Sequence, residues 1–284
     1  MQWLTLAISL LVAAVVAPPL VRSLRENGFA RDNYRGAQAA FPAGIAIPVV
    51  ALLALIPLAL LTELADVDAL ALAGVDALAL GGALTYVLGV ALLGLLDDLV
   101  GSDMPARGWR GHARAAASGG LTTGAIKAAG SLGLALFVLS GSGRSTGDYL
   151  LDVAVLVVAT NLFNLLDLRP GRSIKALALL GAGLTIGSLD LDPLWTVALF
   201  VGPILVLLPL DLREVGMLGD TGSNSIGAVA GLWLVLTLDT TGSLVALAVM
   251  AAVTVYGEFR SIAAVIDRTP GLRHLDSLGR ITHA

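Results

Sequence analysis

The stretch LALGGALTYVLGVALLGLLDD, residues 78–98, decides the fold: nineteen residues without a charge run into two adjacent carboxylates, Asp97 and Asp98. A bilayer core of ~30 Å demands about 20 apolar residues of a helix rising ~1.5 Å per residue. Similar runs recur along the chain. Of its 284 residues, 57% are hydrophobic and 13% charged, too few ionisable groups to clothe a water-soluble globule of this size. Lipid offers backbone groups no partner, so the spans are expected to be helices. The 33 glycines suit close helix–helix approach. The fold class that follows is all-α, a polytopic transmembrane helix bundle.

About nine spans are expected, at roughly 3–20, 43–62, 78–96, 124–142, 149–167, 173–188, 193–210, 224–238 and 242–258. Met1 to Leu20 has no basic start and then meets Arg22 and Arg25, which reads as a retained span with its N-terminus outside. The loops after odd-numbered spans hold Arg31, Arg35, Arg107, Arg110, Arg114, Lys127, Arg169, Arg172, Lys175, Arg213, Arg260, Arg268, Arg273 and Arg280, whereas the other side holds Arg144. Acidic residues such as Glu63, Asp66, Asp76, Asp190 and Asp239 dominate that other side. Basic loops stay in the cytoplasm, which sets the orientation in a plasma (inner) membrane. Residues 1–258 form one transmembrane domain, and 259–284 a basic, amphipathic cytoplasmic tail, helical at least in part. The absence of cysteine excludes disulfides, thiolate metal sites and cysteine nucleophiles. His112, His274 and His283 have no metal-ligand spacing.

Three polar groups stand on the basic side. Asp97 and Asp98 end a helix, where the macrodipole disfavours negative charge and a metal or cation is needed to compensate. Lys127 is one such cation, with membrane-interface snorkelling as the plainer role. Asn161, Asn164 and Asp167 follow at three-residue intervals and share a broad helix face, expected to point to the bundle interior or a wet cleft. Gly219-Asp220-Thr221-Gly222-Ser223 precedes a span and has the make-up of a phosphate or metal-phosphate turn, with Asp220 to hold magnesium. Helix capping and interhelical polar bonding are the alternatives.

In this order, Gly94-Leu95-Leu96-Asp97-Asp98, Asn161-Leu162-Phe163-Asn164-Leu165-Leu166-Asp167 and Leu218-Gly219-Asp220-Thr221-Gly222-Ser223 resemble the motifs of the polyprenyl-phosphate N-acetylhexosamine-1-phosphate transferases. This glycosyltransferase family 4 includes the phospho-N-acetylmuramoyl-pentapeptide transferases. Asn33-Tyr34-Arg35-Gly36 is similar to the family's first cytoplasmic loop. The resemblance implies magnesium-dependent transfer of a phospho-sugar from a UDP-sugar to a membrane polyprenyl phosphate, releasing UMP, in cell-envelope glycan or peptidoglycan precursor synthesis. It implies catalytic roles for Asp97, Asp98 and Asp167, and a magnesium ligand in Asp220. Substrate contacts are expected from Lys127, Asn161, Asn164, Arg169, Arg172, Arg273 and His274.

The chain departs from the pattern twice. Pro170 stands where a second aspartate belongs, and His274 alone remains of the final-loop histidine cluster, beside Asp276, which is expected to be dispensable. A homologue that binds lipid phosphate or nucleotide without turnover is therefore the alternative function. The expected partners are polyprenyl phosphate, a UDP-sugar, membrane lipids and, as an open alternative, a second copy in a homodimer, with no nucleic acid.

Overall fold

The computed structural model describes residues 2–64, 68–101 and 122–281. Asp66, Arg107, Arg110, His112, Arg114 and His283 lie outside the described residues. The chain is a helical bundle, and a helix covers each of the nine expected segments: α1 (Leu4–Glu26), α2 (Ala46–Leu64), then, after the one-turn α3 (Ala69–Leu72), α4 (Ala77–Val100), α5 (Thr123–Leu139), α6 (Thr146–Leu166), α7 (Arg172–Ser188), α8 (Asp192–Leu212), α9 (Gly219–Thr237) and α10 (Thr240–Phe259). Two short helices follow in the tail, α11 (Ile262–Arg268) and α12 (Pro270–Ser277). Among the described residues six helices are long and apolar enough to cross a membrane: α1, α2 with the 3-10 turn before it, α4, α6, α8 and α10. The other three are short, in α5 and α7, or open on a polar turn, in α9.

Several boundaries follow from local chemistry. Asp76, Thr122, Ser145 and Asp239 each cap the helix behind them by accepting a backbone N–H with the side chain. Gly171 begins α7 in the left-handed conformation, at φ +74°, which glycine adopts without strain.

Helix α9 runs through the middle of the bundle, with every residue from Thr221 to Val235 buried, and packs chiefly against α6 and α4. Its polar side chains pass where backbones nearly touch: a Cβ at Gly44 would fall 2.2 Å from Gly222 Cα. Hydroxyls bond between helices, as Ser9 does to the Ala198 carbonyl at 2.9 Å and Tyr86 to Thr160 at 3.0 Å. Such bonds satisfy polar groups that lipid cannot.

The structure adds a hairpin to the expected all-α bundle. Strands β1 (Ala30–Asp32) and β2 (Gln38–Ala40) pair antiparallel, and Ala40 and Ala43 bond the chain at Val215–Met217, just ahead of α9. Strands of three residues are too short for a period-2 pattern to show in sequence. The hairpin brings Arg31, Asn33 and Tyr34 to the end of the bundle where α4, α6 and α8 finish and α9 begins.

Candidate functional site

At that end, Asp97 and Asp98 diverge, because neighbours on a helix point about 100° apart. Asp98 turns inward and is 4% exposed. Its Oδ1 accepts the Asp220 N–H at 2.8 Å, and its Oδ2 accepts the Thr221 N–H at 2.8 Å and the Thr221 hydroxyl at 2.6 Å. No side chain of α9's own sequence caps that helix. Asp98 is therefore its cap in trans, a carboxylate set on the positive end of a helix. Gly219 makes this approach feasible: it holds φ +69°, and a Cβ there would meet Asp98 Oδ2 at 2.8 Å.

Asp97 faces the other way, to Lys127 on α5. The Lys127 Nζ bonds Asp97 Oδ2 at 3.0 Å and also bonds Asp220 Oδ2, so one ammonium joins two carboxylates from different helices. The Asn164 amide completes the cluster when its oxygen is set toward Lys127 Nζ, at 2.9 Å, and its nitrogen toward Asp220 Oδ1 and Ser223 Oγ, both at 3.1 Å. Arg31 donates to the Asp98 carbonyl and lies 4.1 Å above the Phe41 ring.

A cleft of about 380 Å³ opens on these groups, lined by Arg31, Asp97, Asp98, Asn164, Asp167 and Asp220 among others. No family model and no curated protein matches the chain. What the site does must therefore be argued from its own chemistry. Four carboxylates line the cleft with Arg31, and Lys127 pairs with two of them. Among the described residues, no three histidine or acidic groups are arranged as a metal-binding set. The Lys127 ammonium instead stands between Asp97 and Asp220.

The remaining expected site residues lie apart. Three steps of a helix turn a side chain by about 300° rather than a full circle, so Asn161 lags the face of Asn164. It lines a separate, mainly apolar cavity of about 240 Å³ with Lys127, Val157, Val158, Asn224 and Thr254. Lys127 lines this cavity, and its ammonium bonds Asp97 and Asp220, which line the cleft. Asn224 Nδ2 and Thr254 Oγ1 are buried there without a hydrogen-bond partner among the described residues.

Asp167 also borders a third cavity, of about 240 Å³, with Tyr34, Arg169, Asp211 and Glu214. Arg169 stacks over the Tyr34 ring at 4.2 Å. Glu214 holds the hairpin turn through Asn33 Nδ2 at 2.7 Å. Burial, and then the Asp211 carboxylate beside it, push Asp167 well above the usual carboxylate range.

Arg172 departs from expectation. It is 5% exposed and turned to the tail, where Asp276 accepts two hydrogen bonds from it at 2.8 and 2.9 Å. Arg273 and His274 are exposed on α12 and line none of the three cavities. Sequence reasoning left out Arg31, Phe41, Asp211 and Glu214. Arg31 and Phe41 are placed by the hairpin and Glu214 by the loop it grips, neither of which has a periodic signature, while Asp211 is a lone carboxylate in the last turn of α8.

Proposed function

We propose that the chain transfers a phospho-sugar from a UDP-sugar to a membrane polyprenyl phosphate, with release of UMP. On this reading all nine helices from α1 to α10, the one-turn α3 apart, cross the plasma membrane, the N-terminus lies outside, and the cleft and the tail face the cytoplasm. The observation that carries it is the Lys127 ammonium held between Asp97 and Asp220 at the first turn of α9. An ammonium and carboxylates together form a site for phosphates accompanied by a divalent cation.

Magnesium suits the donor set, which is all oxygen: Asp220, Asp97 and the Asn164 amide, with substrate phosphates to complete the shell. Bound there, the ion supplies charge neutralisation to the transferring phosphoryl group. The side chains do the rest. Lys127 moves from bridging the carboxylates to meet the acceptor phosphate. Asp97, freed of that ammonium, orients the acceptor oxygen. Asp98, bonded to the Asp220 and Thr221 amides, holds the first turn of α9 so that Asp220 stays at the cleft. Phosphoryl transfer asks mainly for such alignment and neutralisation. The apolar cavity beside Asn161 receives the start of the lipid chain, since Lys127 lines it and bonds two carboxylates of the cleft. Arg169, stacked on Tyr34, flanks the donor.

A non-catalytic homologue is the second reading. It is favoured by Pro170, which replaces an expected carboxylate, and by Arg172, which is engaged by Asp276. Purified protein incubated with polyprenyl phosphate and a panel of UDP-sugars, with and without magnesium, separates the two. Magnesium-dependent UMP release is expected. UDP-sugar binding without release for every acceptor gives the second reading its place.

A further inference from the structure

The turn between α6 and α7, Asp167 to Gly171, carries two residues that line the cleft, Asp167 and Leu168, and its local backbone bonds leave the Pro170 carbonyl and the Gly171 N–H to be held from elsewhere. Proline at 170 has no N–H to give, so its carbonyl is the only backbone group by which that residue can be tied. The tie comes from 110 residues away. Arg280 Nε donates to the Pro170 carbonyl at 2.9 Å. From the opposite side Asp211 Oδ2 accepts the Gly171 N–H at 2.7 Å.

Asp276 is the hub behind Arg280. Its Oδ1 accepts from Arg280 Nη2 at 2.7 Å and from Arg172 Nε at 2.8 Å, while its Oδ2 accepts from Arg172 Nη2 at 2.9 Å. Lys175, one turn into α7, donates to the Leu275 and Leu278 carbonyls at 3.0 and 3.2 Å, at the C-terminal end of α12 where a cation is favoured. Arg172 grips the carboxylate with two N–H groups, and the planar Arg280 guanidinium spans from the same carboxylate to the Pro170 carbonyl, which fixes orientation as well as distance. A tail that merely lay on the membrane would need none of this.

We infer that the C-terminal segment from Pro270 to Arg280 is a latch that holds the Asp167–Gly171 turn in register, with Asp276 and Arg280 as positioning residues for Asp167 and Arg169. Asp276, expected to be dispensable from sequence, becomes the keystone. The inference rests on the proposed function only in giving the turn a donor to meet; the mechanical coupling stands without it.

The chain lacks cysteine, so single spin labels are clean. One label goes at Leu168→Cys, on the turn and 52% exposed, and a control at Leu244→Cys, on α10 far from the tail and 54% exposed. In full-length protein, Arg280→Ala is expected to speed label motion at 168 several-fold while 244 is unchanged. Arg280→Lys should fall between, because it keeps charge and loses the fork. Arg280→Ala leaves the Arg172–Asp276 pair whole, so it decides the matter even where Asp276→Ala fails to fold. In turnover, Arg280→Ala should raise KM for the UDP-sugar about 10-fold more than it lowers kcat. Label motion unchanged at 168, or changed equally at both positions, overturns the latch. A loosened turn with KM and kcat untouched in an active protein overturns the positioning role given to Asp276 and Arg280. A loosened turn in a protein that releases no UMP even as wild type leaves the latch standing and removes the transferase reading instead.

Discussion

Helices α9 and α10 follow one another in the chain and are nearly equal in length, at 19 and 20 residues, but they stand in opposite surroundings. In α9 every side chain from Thr221 to Val235 is buried; in α10 only Ser243 and Met250 are. Helix α10 is capped by its own Asp239, whereas the first turn of α9 is completed by Asp98 from α4. A helix that carries its own cap can form wherever lipid surrounds it. One that borrows its cap completes its first turn only once the bundle has assembled, so the polar turn at its start is a product of folding. The site lies at that borrowed cap.

Breaking the contrast at its packing should have the largest effect. A Cβ at Gly227 in α9 would lie 2.6 Å from Thr160 Cα, a backbone atom that cannot yield without moving α6. In α10, a Cβ at Gly257 would meet the free end of Leu165 at 2.5 Å, which can swing away. Gly227→Ala should cost about 3 kcal/mol or more and Gly257→Ala under about 1 kcal/mol, measured as thermal stability in detergent. The caps come next. Asp98→Ala leaves two α9 amides without a partner, at about 1–3 kcal/mol for a buried group. Asp239→Ala removes an exposed cap worth about 1 kcal/mol. Equal losses at 98 and 239 would end the distinction between borrowed and native caps.

The smallest effect concerns acid. Although burial alone would raise it, hydrogen bonds from Arg172 and Arg280 hold Asp276 down at about 2, with Lys175 and Asp211 the other charges near this network. A depressed carboxylate stabilises the folded state fully above its unfolded value of about 4 and loses that contribution as pH falls through about 2. Label motion at position 168 should therefore rise between pH 4 and pH 2 in the wild type. Asp276→Asn should show no such step.

Much of this was legible in the sequence, and the failures have physical causes. Length and hydropathy mark helices well, so all nine expected segments are helical, and Asp97, Asp98, Asn164, Asp167 and Asp220 do meet at one cleft. Adjacency in sequence misled at Asp97 and Asp98, whose side chains part by about 100° and take different partners. Three-residue spacing misled at Asn161 for the same geometric reason. Arg172 was expected to meet a donor, but a basic residue near a helix start shows nothing of the carboxylate waiting 104 residues on. The hairpin and the tail latch rest on contacts between distant segments, which no local pattern encodes.

On the proposed function the carboxylates bridged by Lys127, and not the capping carboxylate alone, perform the chemistry. The decisive measurement is UMP release with magnesium, a UDP-sugar and polyprenyl phosphate, for wild type, Asp97→Asn and Asp220→Asn at matched thermal stability. Release by the wild type is expected, with a loss of about 100-fold or more in both variants, the scale of removing a group that acts in the transition state. Full release by Asp97→Asn and Asp220→Asn, or none by the wild type across the substrate panel, would contradict it.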